Sequence, residues 1–215
     1  MTGTMNAINS IRVPDVWQIV FSFVISVFIV YLIEWLKRPS AEIEPISDLI
    51  LNDGRKFLKI KVKISKKGWF RKLFPWQNAA SFARLKGYLI DTHNDEEMVL
   101  ASYTVKWDTR PEPWDYTTNK PRIELLPATS EPENLLVNDE CAASVAVKHP
   151  GNKHFYIYDG NYYVNQKVNQ RDENMVKLRL VFSSSSTSTK KDFIIVNGNT
   201  TISAFRLNEI INNDK

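Results

Sequence analysis

Hydrophobic and polar positions follow two different rules along this chain. Residues 16–36, VWQIVFSFVISVFIVYLIEWL, carry no charge before Glu34 and are stopped by Lys37, Arg38 and Pro39. As a helix the apolar run from Val16 to Ile33 rises about 27 Å, and the last turn to Leu36 brings it to the roughly 30 Å of bilayer hydrocarbon. From Leu58 the period changes to two. Leu58, Ile60, Val62 and Ile64 alternate with Lys59, Lys61 and Lys63, which predicts a half-buried strand with a solvated lysine face. Runs of the same kind follow at 80–90, 98–107, 141–147, 155–158, 175–182, 193–196 and 200–207, with Asn, Asp, Gly and Ser punctuation between them.

These patterns predict a polar tail over 1–15, a transmembrane helix over 16–36, a juxtamembrane linker or edge strand over 37–53, a β-domain over 54–208 and a tail over 209–215. Many short strands with almost no 3.6-residue period outside the helix predict a mainly β domain. The expected fold is an antiparallel immunoglobulin-like β-sandwich, with a small β-barrel as the alternative, because closure is not readable from strand counts. A cleaved signal peptide would have an apolar core of about 7 to 15 residues ending in small residues. Here the core is longer and ends in Glu34-Trp35-Leu36-Lys37-Arg38-Pro39, so the helix is read as retained. Trp17, Tyr31 and Trp35 fall at headgroup depth.

The chain resembles a loosely defined set of uncharacterised prokaryotic proteins in which one N-terminal membrane helix precedes a C-terminal immunoglobulin-like domain. The resemblance is carried by the helix, then FLKIKVKI (57–64), ARLKGYLI (83–90), YTVKW (103–107), PRIELLP (121–127), KLRLVFSS (177–184) and DFIIVNG (192–198). It implies the layout and the sandwich, and no activity.

Charge changes the picture locally. Between Gly54 and Ile90 there are eleven Lys or Arg and no Asp or Glu, so the net +4 divides into +11 there and −7 elsewhere. Within that stretch Lys66, Lys67, Trp69, Phe70, Arg71, Lys72, Phe74 and Trp76 form a loop of cations and aromatic rings. That is the composition of a contact with anionic lipid or a partner, and a satellite core under the loop is the plainer reading of the rings. The same composition suits phosphates and stacked bases, but no glycine-rich cradle accompanies it, so nucleic acid is not an expected partner.

Gln18, Ser22 and Ser26 recur every four residues and lie on one face of the helix, as helix pairing in lipid requires; back-bonding of the serines within the helix is the alternative. Expected partners are therefore the lipid bilayer, a second copy of the chain, and a protein or small-molecule ligand of unknown identity. Lys37 and Arg38, followed by Arg55 and Lys56, outweigh Arg12 and place the C-terminal domain on the cytoplasmic side. Asn199-Thr200-Thr201, a formal glycosylation sequon, argues the other way.

Candidate chemistry is thin. His93, His149 and His154 match no metal-ligand spacing, and zinc bound by the latter two with Asp159 would need another donor. The serines from Ser183 to Ser188 lack a nucleophile elbow and read as a flexible hairpin tip. Cys141 is the only cysteine and sits in an alternating run, where a buried thiol is expected. No catalytic site, cofactor or metal is expected. The function read from the residues is a membrane-anchored binding or interaction module, with a ligand- or nucleotide-sensing effector, whose oligomerisation through the helix alters membrane permeability, as the alternative.

Overall fold

The computed structural model describes residues 16–66, 79–93, 96–110, 114–115, 120–121, 132–157, 170–171 and 173–210. The chain divides into two units, Met1–Lys37 and Arg38–Lys215. In the first, α1 (Val16–Lys37) is a single 22-residue helix whose last turn pairs Lys37 with Glu34 at 3.1 Å. Its apolar surface runs around the whole cylinder and none of its residues is buried by protein. A helix packed on a soluble core buries one stripe, and this one does not. Among the described residues α1 is the one helix long and apolar enough to cross a membrane.

The second unit is mainly β. In chain order its strands are β1 (Ser40–Pro45), β2 (Leu49–Ile50), β3 (Lys56–Ser65), β4 (Ala80–His93), β5 (Glu96–Thr104), β6 (Lys106–Trp107), β7 (Trp114–Asp115), β8 (Lys120–Pro121), β9 (Glu133–Leu135), β10 (Glu140–Lys148), β11 (Phe155–Ile157), β12 (Gln170–Arg171), β13 (Met175–Ser183), β14 (Ser188–Val196) and β15 (Arg206–Glu209). The first sheet has the order β1-β3-β10-β11-β12, with β2 on β3 and β6 on β10. The second has the order β15-β14-β13-β4-β5, with β9 on β4, and β7 and β8 form a separate ribbon. The described strands thus make two open antiparallel sheets. They do not make the single closed ladder of a small barrel.

Inward residues of both sheets share one core. Leu58, Ile60, Val62 and Ile64 of β3 and Ala143 and Val145 of β10 meet Leu85 and Leu89 of β4 and Leu178, Leu180 and Phe182 of β13, around Trp107, Phe155, Phe193 and Phe205. Each buried Val, Leu, Ile or Phe among them contributes about 1.5–3 kcal/mol by leaving water. Tyr103 of β5 crosses the core and donates its hydroxyl to the Val145 carbonyl of β10 at 3.0 Å. Gly87 makes room for it: a Cβ there would lie 2.5 Å from the Tyr103 ring.

Within the juxtamembrane stretch the edge-strand alternative is the one that forms, as β1, with Ala41 and Ile43 buried and Glu42 and Pro45 exposed. One expectation changes. The run 200–207 is not one strand. Gly198 and Asn199 have positive φ, residues Ile202–Ala204 form a 3-10 turn, and only β15 pairs beyond it. That turn presses Phe205 into the core beside Phe155, with ring centroids 5.6 Å apart. Cys141 is buried, and burial pushes its thiol up to about 11.

Candidate functional site

The outer faces of the two sheets treat their cations differently. On the first sheet Lys59 Nζ lies 2.6 Å from Asp108, which also accepts the Ser144 hydroxyl at 2.9 Å. Lys61 sits 3.1 Å from Glu140 and 3.8 Å from Glu44, and Lys63 sits 3.4 Å from Glu140. Nearer the start of β3, Arg55 pairs with Asp53 and Lys56 with Asp48. The lysine face of β3 is therefore an ion-paired comb rather than a solvated one. Period-2 patterning located the face, but the acids come from β1, β10 and the loops, which local spacing cannot bring together.

The end of the domain at which the chain enters from α1 is built differently. Ser40 stands three residues after Lys37 and pairs with Ser65, and Lys66 follows directly. The turn Leu136–Asp139 packs on the same end: the Asn138 N–H donates to the Ile64 carbonyl at 2.7 Å, and Asp139 accepts the Leu136 N–H at 2.7 Å. The serine hairpin closes it from the second sheet, with Ser185 N–H on the Ser81 carbonyl at 2.9 Å and Ser186 Oγ on the Ala79 carbonyl at 3.1 Å. This hairpin is tied to β4 rather than being a free tip. Residues Ala41 to Glu44 and Thr189 to Lys191 line a shallow cleft there, so β14 belongs to the same end.

On the second sheet's outer face, toward this entry end, stand Arg84, Lys86 and Lys190. Val181 pairs with both Lys86 and Lys190, which places the two lysines in one cross-strand row, roughly 10 Å apart. Arg84 lies one pleat period away, about 7 Å, in the row of Ser183 and Ser188. All three cations are exposed, and none has an acidic partner among the described residues. The face's acids are spent at the other end: Arg179 meets Asp192 at 2.8 Å and Glu97 at 2.7 Å, and Lys177 meets the same two carboxylates. Bonds from Arg179 and then Lys177 hold the Glu97 carboxyl down at about 2, and the same partners lower that of Asp192.

Two exposed apolar side chains stand at the same end of the domain. Phe82 is 69% exposed and Leu136 is 62% exposed. Phe82, Arg84 and Lys86 alternate with the buried Ala83 and Leu85, so all three point away from the core. Leu136 follows Leu135, which pairs with Ala80 across the irregular β4–β9 ladder.

Of the residues singled out in sequence, Lys66 is partly exposed at the entry end, while Lys67, Trp69, Phe70, Arg71, Lys72, Phe74 and Trp76 lie outside the described residues. In α1, Ser26 Oγ donates to the Ser22 carbonyl at 2.7 Å, so its proton is used within the helix. Gln18 and Ser22 share its face. His149 packs edge-on against Tyr156 at 5.6 Å, and burial first, then Arg55, lowers its pKa. The side chain of His93, and Asp159, lie outside the described residues; among the described residues no group of His, Cys, Asp and Glu is placed to hold a metal ion.

Sequence reasoning missed Phe82, Leu136 and Lys190. For Phe82 a signal was present: in ASFARLKGYLI (80–90) it takes an outward position of the alternation, in step with Arg84 and Lys86. No protein-family model, curated protein or solved structure matches the chain.

Proposed function

We propose that the chain is a membrane-anchored binding module in which α1 remains in the bilayer as a single-pass anchor and the entry end of the β-domain rests on anionic lipid headgroups. The reading is carried by one observation. Arg84, Lys86 and Lys190 are exposed at the entry end and have no acidic partner among the described residues, while the lysines of β3 are matched by acids. From Lys37 to Ser40 the chain spans at most about 10 Å, so the tether keeps that end near the membrane surface. Each cation close to an anionic surface gains about 1 kcal/mol. The cytoplasmic placement suggested by Lys37 and Arg38 agrees, since that leaflet carries the anionic lipid.

The strand order supports an immunoglobulin-like sandwich for the domain: β1-β3-β10 with β6 on one side, β14-β13-β4-β5 on the other. It goes with the resemblance to prokaryotic single-pass proteins carrying such a domain. The module acts by binding, and self-association through Gln18 and Ser22 would set its copy number. The permeability-altering effector gains nothing from Ser26, whose hydroxyl proton is bonded within the helix.

The test uses the full chain reconstituted in an equimolar mixture of phosphatidylcholine and phosphatidylglycerol, then recovered in polymer nanodiscs for lipid mass spectrometry. The wild-type discs are enriched in phosphatidylglycerol relative to discs of the triple variant Arg84→Gln, Lys86→Gln, Lys190→Gln. Equal lipid composition would sink the proposal.

A further inference from the structure

An exposed phenylalanine on a strained backbone calls for an explanation. Phe82 has φ +54, in the left-handed region that L side chains other than Asn and Asp rarely adopt. The conformation is held by a specific bond, the Phe82 N–H to Asn134 Oδ1 at 3.0 Å, at the irregular step of the β4–β9 ladder between Ala80 and Ala83. The strand spends backbone freedom to hold an aromatic ring in the open. Strain of this kind concentrates where a side chain has to be aimed.

Leu136 is held outward by equally specific means. Asp139 caps its N–H, and Asn138, with φ +75, closes the turn behind it. Phe82 shares the outward face of β4 with Arg84 and Lys86, and Leu136 stands at the same end of the domain, on the turn after β9. An apolar projection near cations that have no acidic partner among the described residues is complementary to one solvent boundary, where anionic headgroups meet acyl chains. A second exposed apolar group on the same sheet lacks this character. Met98 and Val99 of β5 lie at the other end, beside exposed Asp91 and beside Glu97, which is already paired with Arg179 and Lys177.

We propose that Phe82 and Leu136 insert below the headgroups of the leaflet from which α1 emerges at Lys37, and so convert the electrostatic contact into a seated one. This deepens the lipid-docking reading and rests on it: the cations select anionic lipid, and the two apolar side chains fix depth and orientation. Removing an apolar side chain from an interface of this kind costs about tenfold in partition or more.

The test is depth measurement by spin labels on the full chain in phosphatidylglycerol-containing nanodiscs. Cys141 is buried and its raised thiol does not compete for the reagent at neutral pH. Single variants Phe82→Cys and Leu136→Cys are labelled, with Lys61→Cys as the solvent-facing reference. The expected result is a collision profile rich in oxygen and poor in the polar nickel chelate at 82 and 136, but not at 61. A parallel double variant, Phe82→Ser with Leu136→Ser, lowers the seated fraction at least about tenfold. If labels at 82 and 136 stay as aqueous as the one at 61 while phosphatidylglycerol enrichment persists, insertion is wrong and headgroup docking stands. If the enrichment is absent too, the underlying reading fails with it. Short label-to-label distances at 82 in every lipid would assign the patch to a second copy instead and overturn the proposal.

Discussion

The outer face of the first sheet and the entry end of the second are both rich in lysine and arginine, yet only one has been neutralised by its own fold. Lys59, Lys61 and Lys63 meet Asp108, Glu44 and Glu140, and fully buried Lys148 is surrounded by the carbonyl of Asn197, its side-chain oxygen and the carbonyl of Asn199. Among the described residues Arg84, Lys86 and Lys190 form no ion pair, although Lys190 lines a shallow cleft with Glu42 and Glu44. A cation with an internal partner contributes to folding. One without is available to something outside, and it is this difference, rather than the count of basic residues, that marks a surface.

The comparison breaks most visibly at the unpaired cations. The triple variant Arg84→Gln, Lys86→Gln, Lys190→Gln should lose about 3 kcal/mol of affinity for anionic bilayers, roughly a hundredfold, while its denaturant midpoint stays within about 0.5 kcal/mol of wild type. Both are read on the full chain, by lipid enrichment and by urea titration in detergent.

The partnered cations should answer in the opposite way. Asn197→Ala takes one acceptor from Lys148, whose ammonium burial already pulls below its ordinary range, and should cost about 2 kcal/mol of stability with lipid enrichment unchanged. The loss should be felt widely, because Asn197 also donates to the Lys153 carbonyl at 2.8 Å and so joins two loops at the far end. Asp108→Ala strands Lys59 and the Ser144 hydroxyl and should cost about 1–2 kcal/mol, again without a lipid effect.

Acid gives a smaller, graded test. Glu97 is held down at about 2 and Asp192 is lowered by Arg179 and Lys177. Carboxyls depressed in the folded state contribute stability that is present above their ordinary pKa near 4 and lost as pH falls toward 2. The urea midpoint should therefore decline over that window, and Glu97→Gln with Asp192→Asn should flatten the decline.

How much of this was legible in the chain depended on the range of the interactions. The helix followed from one uninterrupted apolar run, and β3 from strict alternation at 58–64, because both patterns are local. The strand over 200–207 was misplaced because its alternation is produced by a turn that Gly198 permits, where a Cβ would lie 2.3 Å from Ala204. The lysine comb was misread as solvated because Glu140 and Asp108 are 79 and 49 residues away from Lys61 and Lys59. The entry end escaped notice for the same reason: its cations, its exposed phenylalanine and its exposed leucine come from β4, β14 and the turn after β9, and only the sheet assembles them.

The most direct test of the central distinction is lysine acylation footprinting of the full chain in nanodiscs of phosphatidylcholine against nanodiscs containing phosphatidylglycerol. Anionic lipid should slow the acylation of Lys86 and Lys190 and leave Lys61 and Lys63 unchanged. Equal rates for Lys86 and Lys190 in the two lipids, or protection spread equally over both pairs, would contradict the account.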